Sequence, residues 1–205
     1  PLYSSAASDV YKRQVFTEAF KLFSKKPYDQ VTYTDLEKAT GLSRGAILYH
    51  IKNKKNLFGI VVSEFILKKS SIPELSFENG DSLKNFIDRF LENSRLEKKY
   101  LKKRGIENIN LSMLNLSSQA FYYCPVMTER YSEWMRSQLS TWTKIVRIAI
   151  DKGEIRNDMS ADLIASLFHN VYFGLAYSGS ALPNGYDLEV LETEFKTIYS
   201  FISCK

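Results

Sequence analysis

The stretch ATGLSRGAILYHIKNKKNLF, residues 39–58, sets the organisation of the whole chain. Gly41 reads as a helix stop, because only glycine enters the left-handed conformation at that point without a Cβ penalty. Leu42 follows as a buried turn residue, and Ser43 has the short hydroxyl that caps a new helix. Ile47 and Ile51, one helical turn apart, mark the apolar face of that helix, and Asn53 has the side chain to cap the next one. Within these residues stand Arg44, His50, Lys52, Lys54 and Lys55, and not one carboxylate.

Upstream, Val15, Phe16, Ala19, Leu22 and Phe23 share one face at 3.6-residue spacing, which predicts a helix from about Tyr11 to Ser24. Pro27 stops it. Thr32 stands three residues before Asp35, a capping-box spacing, so a short helix starts there with Leu36 and Ala39 inward. Two short helices joined by a glycine-containing turn form a helix-turn-helix, whose second helix enters the major groove with its N-terminal residues at the base edges. The residue types suit that chemistry. Arg44 pairs with guanine O6 and N7, while the small Gly45 and Ala46 let the backbone come close. Tyr49 and His50 reach phosphates, as do Thr32 and Thr34 at the preceding helix start. Lys54, beside the amides of a helix N-terminus, makes a further phosphate site. From Val31 to Phe58 there are five Lys/Arg against Asp35 and Glu37, a local excess of +3. On spacing alone, the same pattern equally describes a solvated basic surface of a helical protein.

Beyond residue 58 the apolar spacing predicts a helix from about Lys54 to Lys69, with Leu57, Phe58, Val61, Phe65 and Ile66 inside. The segment SSIPELSFENGD, residues 70–81, is the best candidate boundary. Further amphipathic helices follow from Leu83 to about Arg104, Ile106 to Leu116, Pro125 to about Lys152, Ala161 to about Ser178, and from Leu188 to the end. An all-α fold of about nine helices results, three of them short and near the N-terminus. The first 14 residues, PLYSSAASDVYKRQ, lack a helical period and resemble cloning-adapter sequence, so residues 1–14 are expected to be a disordered or artefactual arm. The basic run Arg95 to Gly105 reads as a solvated helix end, where cations suit the helix dipole.

The stretches FTEAFKLF and VTYTDLEKATGLSRGAILYHIKNKKNLF resemble the DNA-binding domain of the TetR family of bacterial transcription regulators, most closely its AcrR type. The resemblance covers about residues 15–60, and Gly41, Ser43, Arg44, Gly45, His50, Lys54 and Leu57 fall in register. It implies phosphate contacts from Thr32, Tyr49, His50 and Lys54, and base-facing roles for Thr34, Arg44, Gly45 and Ala46, with Ser43 at the helix start. Two residues depart from the family pattern: Leu48 stands where a Tyr is usual, and Glu37 where a small Ala is common. Glu37 is expected to turn outward or to pair with Arg44.

The resemblance further implies that residues 71–205 form a ligand-binding and dimerisation domain. Phe86, Phe90, Tyr131, Trp134, Trp142, Phe168, His169 and Tyr172 are candidates for an apolar effector pocket with polar tips. Leu163, Leu167, Val171, Leu175, Leu191, Phe195, Ile198 and Ile202, on the last two helices, are candidates for a homodimer interface. Operator DNA, a small effector and a second copy are thus the expected partners. The competing view is a helical small-molecule-binding or scaffold protein that does not bind DNA. No enzyme is expected: there is no phosphate-cradling glycine loop and no nucleophile set with supporting spacing. No metal site or cofactor is expected either, since two cysteines and two histidines stand apart in sequence. No apolar run reaches the roughly 18 residues a membrane span needs, and a cytoplasmic protein is expected.

Overall fold

A computed structural model describes residues 2–68 and 82–204, with the side chains of residues 2–11 and of His50 outside that description. The candidate boundary at residues 70–81 lies outside the described residues. The helices are α1 (Leu2–Lys25), α2 (Tyr33–Thr40), α3 (Arg44–Ile51), α4 (Lys54–Val62), α5 (Leu83–Lys102), α6 (Ile109–Tyr123), α7 (Val126–Asp151), α8 (Ala161–Gly179) and α9 (Leu188–Ile202). A 3-10 turn, Tyr28–Gln30, precedes α2, and a π turn, Ser63–Leu67, continues α4. Among the described residues the only β pairing is an isolated antiparallel bridge between Ile155 and Ser203. The all-α expectation holds.

Helix α1 starts at Leu2 rather than near Tyr11. The expected irregular arm is therefore helical backbone: after Pro1 the segment contains neither Pro nor Gly to break it, and Ala6 and Ala7 favour the helix.

The chain divides into two compact units, Pro1–Lys69 with Leu111–Tyr131, and Ser70–Asn110 with Ser132–Lys205. A single cut at residue 71 thus misses that Leu111–Tyr131 belongs with the N-terminal helices. The cause is local. Asn115 Nδ2 donates to the Ser24 carbonyl at 2.9 Å and Gln119 Nε2 to that of Phe23 at 2.9 Å, satisfying the end of α1. Tyr123 lies against Tyr28, with ring centroids 4.8 Å apart. The core of this unit is aromatic: Phe20 stacks on Phe65 at 4.3 Å, and Phe58 meets Phe23 and Tyr28, each at 5.0 Å.

The second unit is built around Trp142. Its indole stacks on Phe168 at 5.1 Å and meets the rings of Phe86 (4.9 Å), Phe90 (5.4 Å) and Phe195 (5.6 Å). Glu154 closes the unit from a distance in sequence, its carboxylate accepting the N–H groups of Leu83 and Lys84 at 2.8 and 2.9 Å. That places a negative charge on the positive end of α5. The α8–α9 connection is pinned by Asn108, which donates to the Gly179 carbonyl at 3.1 Å. Asn110 Oδ1 accepts the Tyr186 N–H at 3.1 Å. Gly179 is required there, because a Cβ would stand 2.3 Å from the Tyr186 nitrogen. The basic run of α5 is only partly solvated: Lys98 Nζ donates to the Tyr186 carbonyl and sits 4.7 Å from the Tyr186 ring centroid.

Three expected interface residues belong instead to this core: Leu191, Phe195 and Ile202 are buried, and Val171, Leu175 and Ile198 pack partly buried against it. Both faces of these helices are apolar, so periodicity alone does not say which one turns inward. Leu163 and Leu167 do remain exposed, at 51% and 40%, and Tyr177, Val190 and Phe201 are exposed with them. Replacing Phe195 by Ala should cost about 3–5 kcal/mol of stability in urea unfolding. Phe201→Ala should stay within about 0.5 kcal/mol at low protein concentration. Equal effects would contradict this assignment of faces.

Candidate DNA-binding site

The site begins with the capping box of α2. The Thr32 Oγ1 accepts the Asp35 N–H at 3.1 Å, and Asp35 Oδ2 accepts from the Thr32 N–H at 2.9 Å and from its hydroxyl at 2.8 Å. Lys26 Nζ donates to the other carboxylate oxygen at 3.0 Å. The Thr32 amide bond, then Lys26, hold the Asp35 carboxyl down at about 2, below its ordinary 3.8. A depressed acid stabilises the fold above its unfolded pKa, and the contribution fades as pH falls toward the folded one.

Gly41 ends α2 at φ 72°, its N–H bonded to the Glu37 carbonyl. The chain then turns so that Ser43 caps α3, Oγ accepting the Ala46 N–H at 3.3 Å. Ile47 and Ile51 are fully buried, which rotates the opposite face of α3 outward. Thr34, Ser43, Arg44 and Gly45 are exposed, Ala46 and Leu48 are half-buried, and Tyr49 is 86% exposed. A Cβ at Gly45 would meet nothing within 4 Å, so the helix there is open to close approach. Of the expected base-facing residues, Thr34, Arg44 and Gly45 are thus exposed and Ala46 is half-buried. Of the expected phosphate-facing residues, Tyr49 lies on that face, and the Thr32 hydroxyl is engaged in the capping box. The side chain of His50 lies outside the described residues.

Lys54 departs from expectation. Its ammonium donates to the carbonyls of Tyr28 (2.9 Å) and Val31 (2.8 Å), approaches that of Asp29 (3.5 Å), and lies 4.5 Å from the Tyr28 ring centroid. Of the three donors of an ammonium, two are thus engaged by part-buried backbone carbonyls. Lys54 is therefore a tie between α4 and the turn before α2. The exposed cations beside it are Lys52 and Lys55, flanking the N-terminus that Asn53 caps. Lys52 holds φ at +59°, an uncommon backbone conformation for a side chain beyond Cβ.

Tyr33 is a residue that nothing in the sequence singles out. Its Oη accepts the Lys54 N–H at 3.0 Å, and its ring lies under the Arg44 guanidinium, 4.6 Å from Cζ to centroid. Glu37 pairs with Arg44 only through the backbone, its Oε1 accepting the Arg44 N–H at 2.7 Å. The carboxylate thereby supplements the α3 cap rather than neutralising the guanidinium.

In the second unit, four of the expected pocket residues, Phe86, Phe90, Trp142 and Phe168, are packed ring on ring as core. Tyr131 belongs to the other unit, beside Phe121 at 5.2 Å. Trp134, His169 and Tyr172 gather around Phe173, at centroid distances of 6.0, 4.6 and 5.2 Å. His169 is buried, its Nδ1 3.3 Å from Asn170 Oδ1, and its Nε2 has no hydrogen-bond partner among the described residues. Burial holds its pKa below the ordinary value, favouring the neutral ring.

Residues 15–60 match the family described as bacterial regulatory proteins, tetR family. The chain is 27% identical over 167 residues to the HTH-type transcriptional repressor AcnR of Corynebacterium glutamicum, covering 80% of this chain and 78% of that protein. It is 40% identical over 53 residues to the HTH-type transcriptional repressor Rv1474c of Mycobacterium tuberculosis, covering 26% of this chain and only 28% of that one. In structure it resembles SmeT, solved as a complex with triclosan, at a TM-score of 0.68 and 16% identity over 96% of this chain and 93% of the other. At that identity the likeness is one of fold. No helix among the described residues is long and apolar enough to cross a membrane.

Replacing Lys54 by Met should lower stability by about 1–3 kcal/mol, because the part-buried Tyr28 and Val31 carbonyls lose a charged donor. Lys55→Met should leave urea unfolding unchanged while lowering the salt dependence of DNA affinity by about one charge. The reverse pattern would return the phosphate role to Lys54.

Proposed function

We propose that this chain, which belongs to the TetR family of bacterial regulators, represses transcription as a homodimer that leaves its operator when a small apolar effector binds. The observation that carries the DNA-binding reading is the outer face of α3. Ser43, Arg44 and Gly45 are exposed at its start and Tyr49 further along, while Ile47 and Ile51 anchor the helix in the core. A rigidly seated helix with a small residue beside an arginine suits a major-groove edge, where arginine forks onto guanine O6 and N7. Base-facing roles fall to Thr34, Arg44, Gly45 and Ala46, and phosphate roles to Tyr49, His50, Lys52 and Lys55.

Each protomer would meet one half-site, so two-fold symmetry of protein and operator go together. The apolar residues left exposed on α8 and α9, Leu163, Leu167, Tyr177, Val190 and Phe201, are the proposed isologous face. The effector is proposed to lodge among Trp134, His169, Tyr172 and Phe173, whose rings offer apolar area and whose buried His169 Nε2 offers one hydrogen bond. The relative SmeT, solved with triclosan, supports this ligand class. Binding there would favour a conformer whose paired α3 helices no longer span one turn of the duplex.

Glu37 favours this account over a protein that does not engage DNA. Its carboxylate strengthens the start of α3 and leaves the Arg44 guanidinium unneutralised. Arg44→Ala should cost about 1–3 kcal/mol of affinity for a duplex selected from a randomised pool, read by fluorescence anisotropy. Affinity should also fall steeply with salt in the unaltered protein. Selection that enriches no duplex, with salt-independent binding, would contradict the regulator reading.

A further inference from the structure

We infer that Tyr33 is a positioning residue for base specificity, holding the Arg44 guanidinium in the direction in which it reads a base. The inference rests on the proposed reading of α3 as the DNA-contacting helix. An exposed arginine is a long, flexible side chain, and a recognition contact made by it must first fix several torsions. Here the fixing is already in place. The guanidinium lies over the Tyr33 ring at 4.6 Å, and the Arg44 backbone is held by Glu37 through a 2.7 Å hydrogen bond. One contact sets the origin of the side chain and the other its far end.

The platform is itself anchored. Tyr33 Oη accepts the Lys54 N–H at 3.0 Å, so the ring cannot swing without losing a backbone bond at the start of α4. The Lys54 ammonium in turn grips the carbonyls of Tyr28 and Val31, and the Tyr28 ring lies 5.0 Å from that of the buried Phe58. A continuous chain of contacts therefore runs from the aromatic core of the unit to the tip of Arg44. The chemistry of guanidinium permits both tasks at once: its faces meet an aromatic ring, and its N–H donors radiate in plane toward a guanine edge.

The consequence is that Tyr33 governs discrimination among duplexes without touching a base. The test uses the full chain and the duplex it enriches from a randomised pool, together with versions of that duplex in which each guanine is replaced by adenine, and an unrelated duplex. Tyr33→Leu removes the ring. It should reduce discrimination at the guanine that Arg44 reads by roughly two- to five-fold, the range for an exposed cation–π contact. It should leave affinity for the unrelated duplex, and its salt dependence, unchanged. Tyr33→Phe keeps the ring and should retain most of the discrimination. In an Arg44→Ala background, Tyr33→Leu should have no further effect on discrimination.

A loss on Arg44→Ala with none on Tyr33→Leu, or additive losses in the double variant, overturns the role of Tyr33 and leaves the reading of α3 standing. No loss on Arg44→Ala, or no enriched duplex, overturns both. A second measurement covers the case in which Tyr33→Leu fails to fold. In the unaltered protein, the Arg44 Hδ resonances should be shifted upfield by the ring current, and random-coil positions for them would overturn the inference.

Discussion

The outer face of the N-terminal unit depends on one ammonium group. Lys54 Nζ gathers the carbonyls of Tyr28 and Val31 into a single joint, tying the start of α4 to the turn before α2. The Tyr28 carbonyl opens the 3-10 turn and also accepts the Val31 N–H at 3.4 Å, while the Val31 carbonyl follows the turn, so the ammonium supplies a further donor to this half-buried joint. The same residue gives its backbone N–H to Tyr33 Oη. One lysine thus fixes both the entry to α2 and the ring on which Arg44 rests. A rigid pair of short helices follows, although each has only eight residues and would not persist alone in water.

From this joint the rest of the surface follows by local capping. Thr32 and Asp35 close α2 at its start, Gly41 closes its end, and Ser43 with Glu37 supplies the start of α3. The carboxylates beside α3, Asp35 and Glu37, are consumed by these tasks. Asp35 binds Thr32 and Lys26, and Glu37 binds a backbone amide. The stretch around α3 therefore keeps Arg44, Lys52 and Lys55 exposed and its anions engaged, a distribution that suits a polyanion partner. The second unit obeys a similar logic at longer range, with Glu154 placed by the chain end of one element to serve the N-terminus of α5.

What was legible in the sequence was what is decided within a few residues. The Thr32–Asp35 spacing, the Gly41 stop, the Ser43 and Asn53 caps and the Ile47–Ile51 stripe are short-range patterns, and each appears as read. Lys54 was not legible, because its partners lie more than twenty residues earlier in a turn whose position only the fold supplies. Tyr33 was hidden for the same reason: nothing in its neighbours announces that its hydroxyl meets α4. In the second unit, Leu163 and Leu191 look alike on a helical wheel, yet one is exposed and the other buried. Apolar faces on both sides of α8 and α9 leave the inward side undetermined until packing is known. The rings of Phe86, Phe90, Trp142 and Phe168 could line a cavity or fill one, and only the contacts among them show that they fill it.

The claim on which all of this converges is that α3 meets guanine in the major groove through the edge beginning at Ser43. Methylation interference tests it most directly, since dimethyl sulfate places a methyl group on guanine N7, the acceptor an arginine fork would use. With the duplex that the full chain enriches, the account predicts that methylation of one guanine in each half-site, about one helical turn apart, blocks binding. It further predicts that this block disappears in Arg44→Ala. Interference only at minor-groove adenine positions, or a guanine block that persists without Arg44, would contradict it.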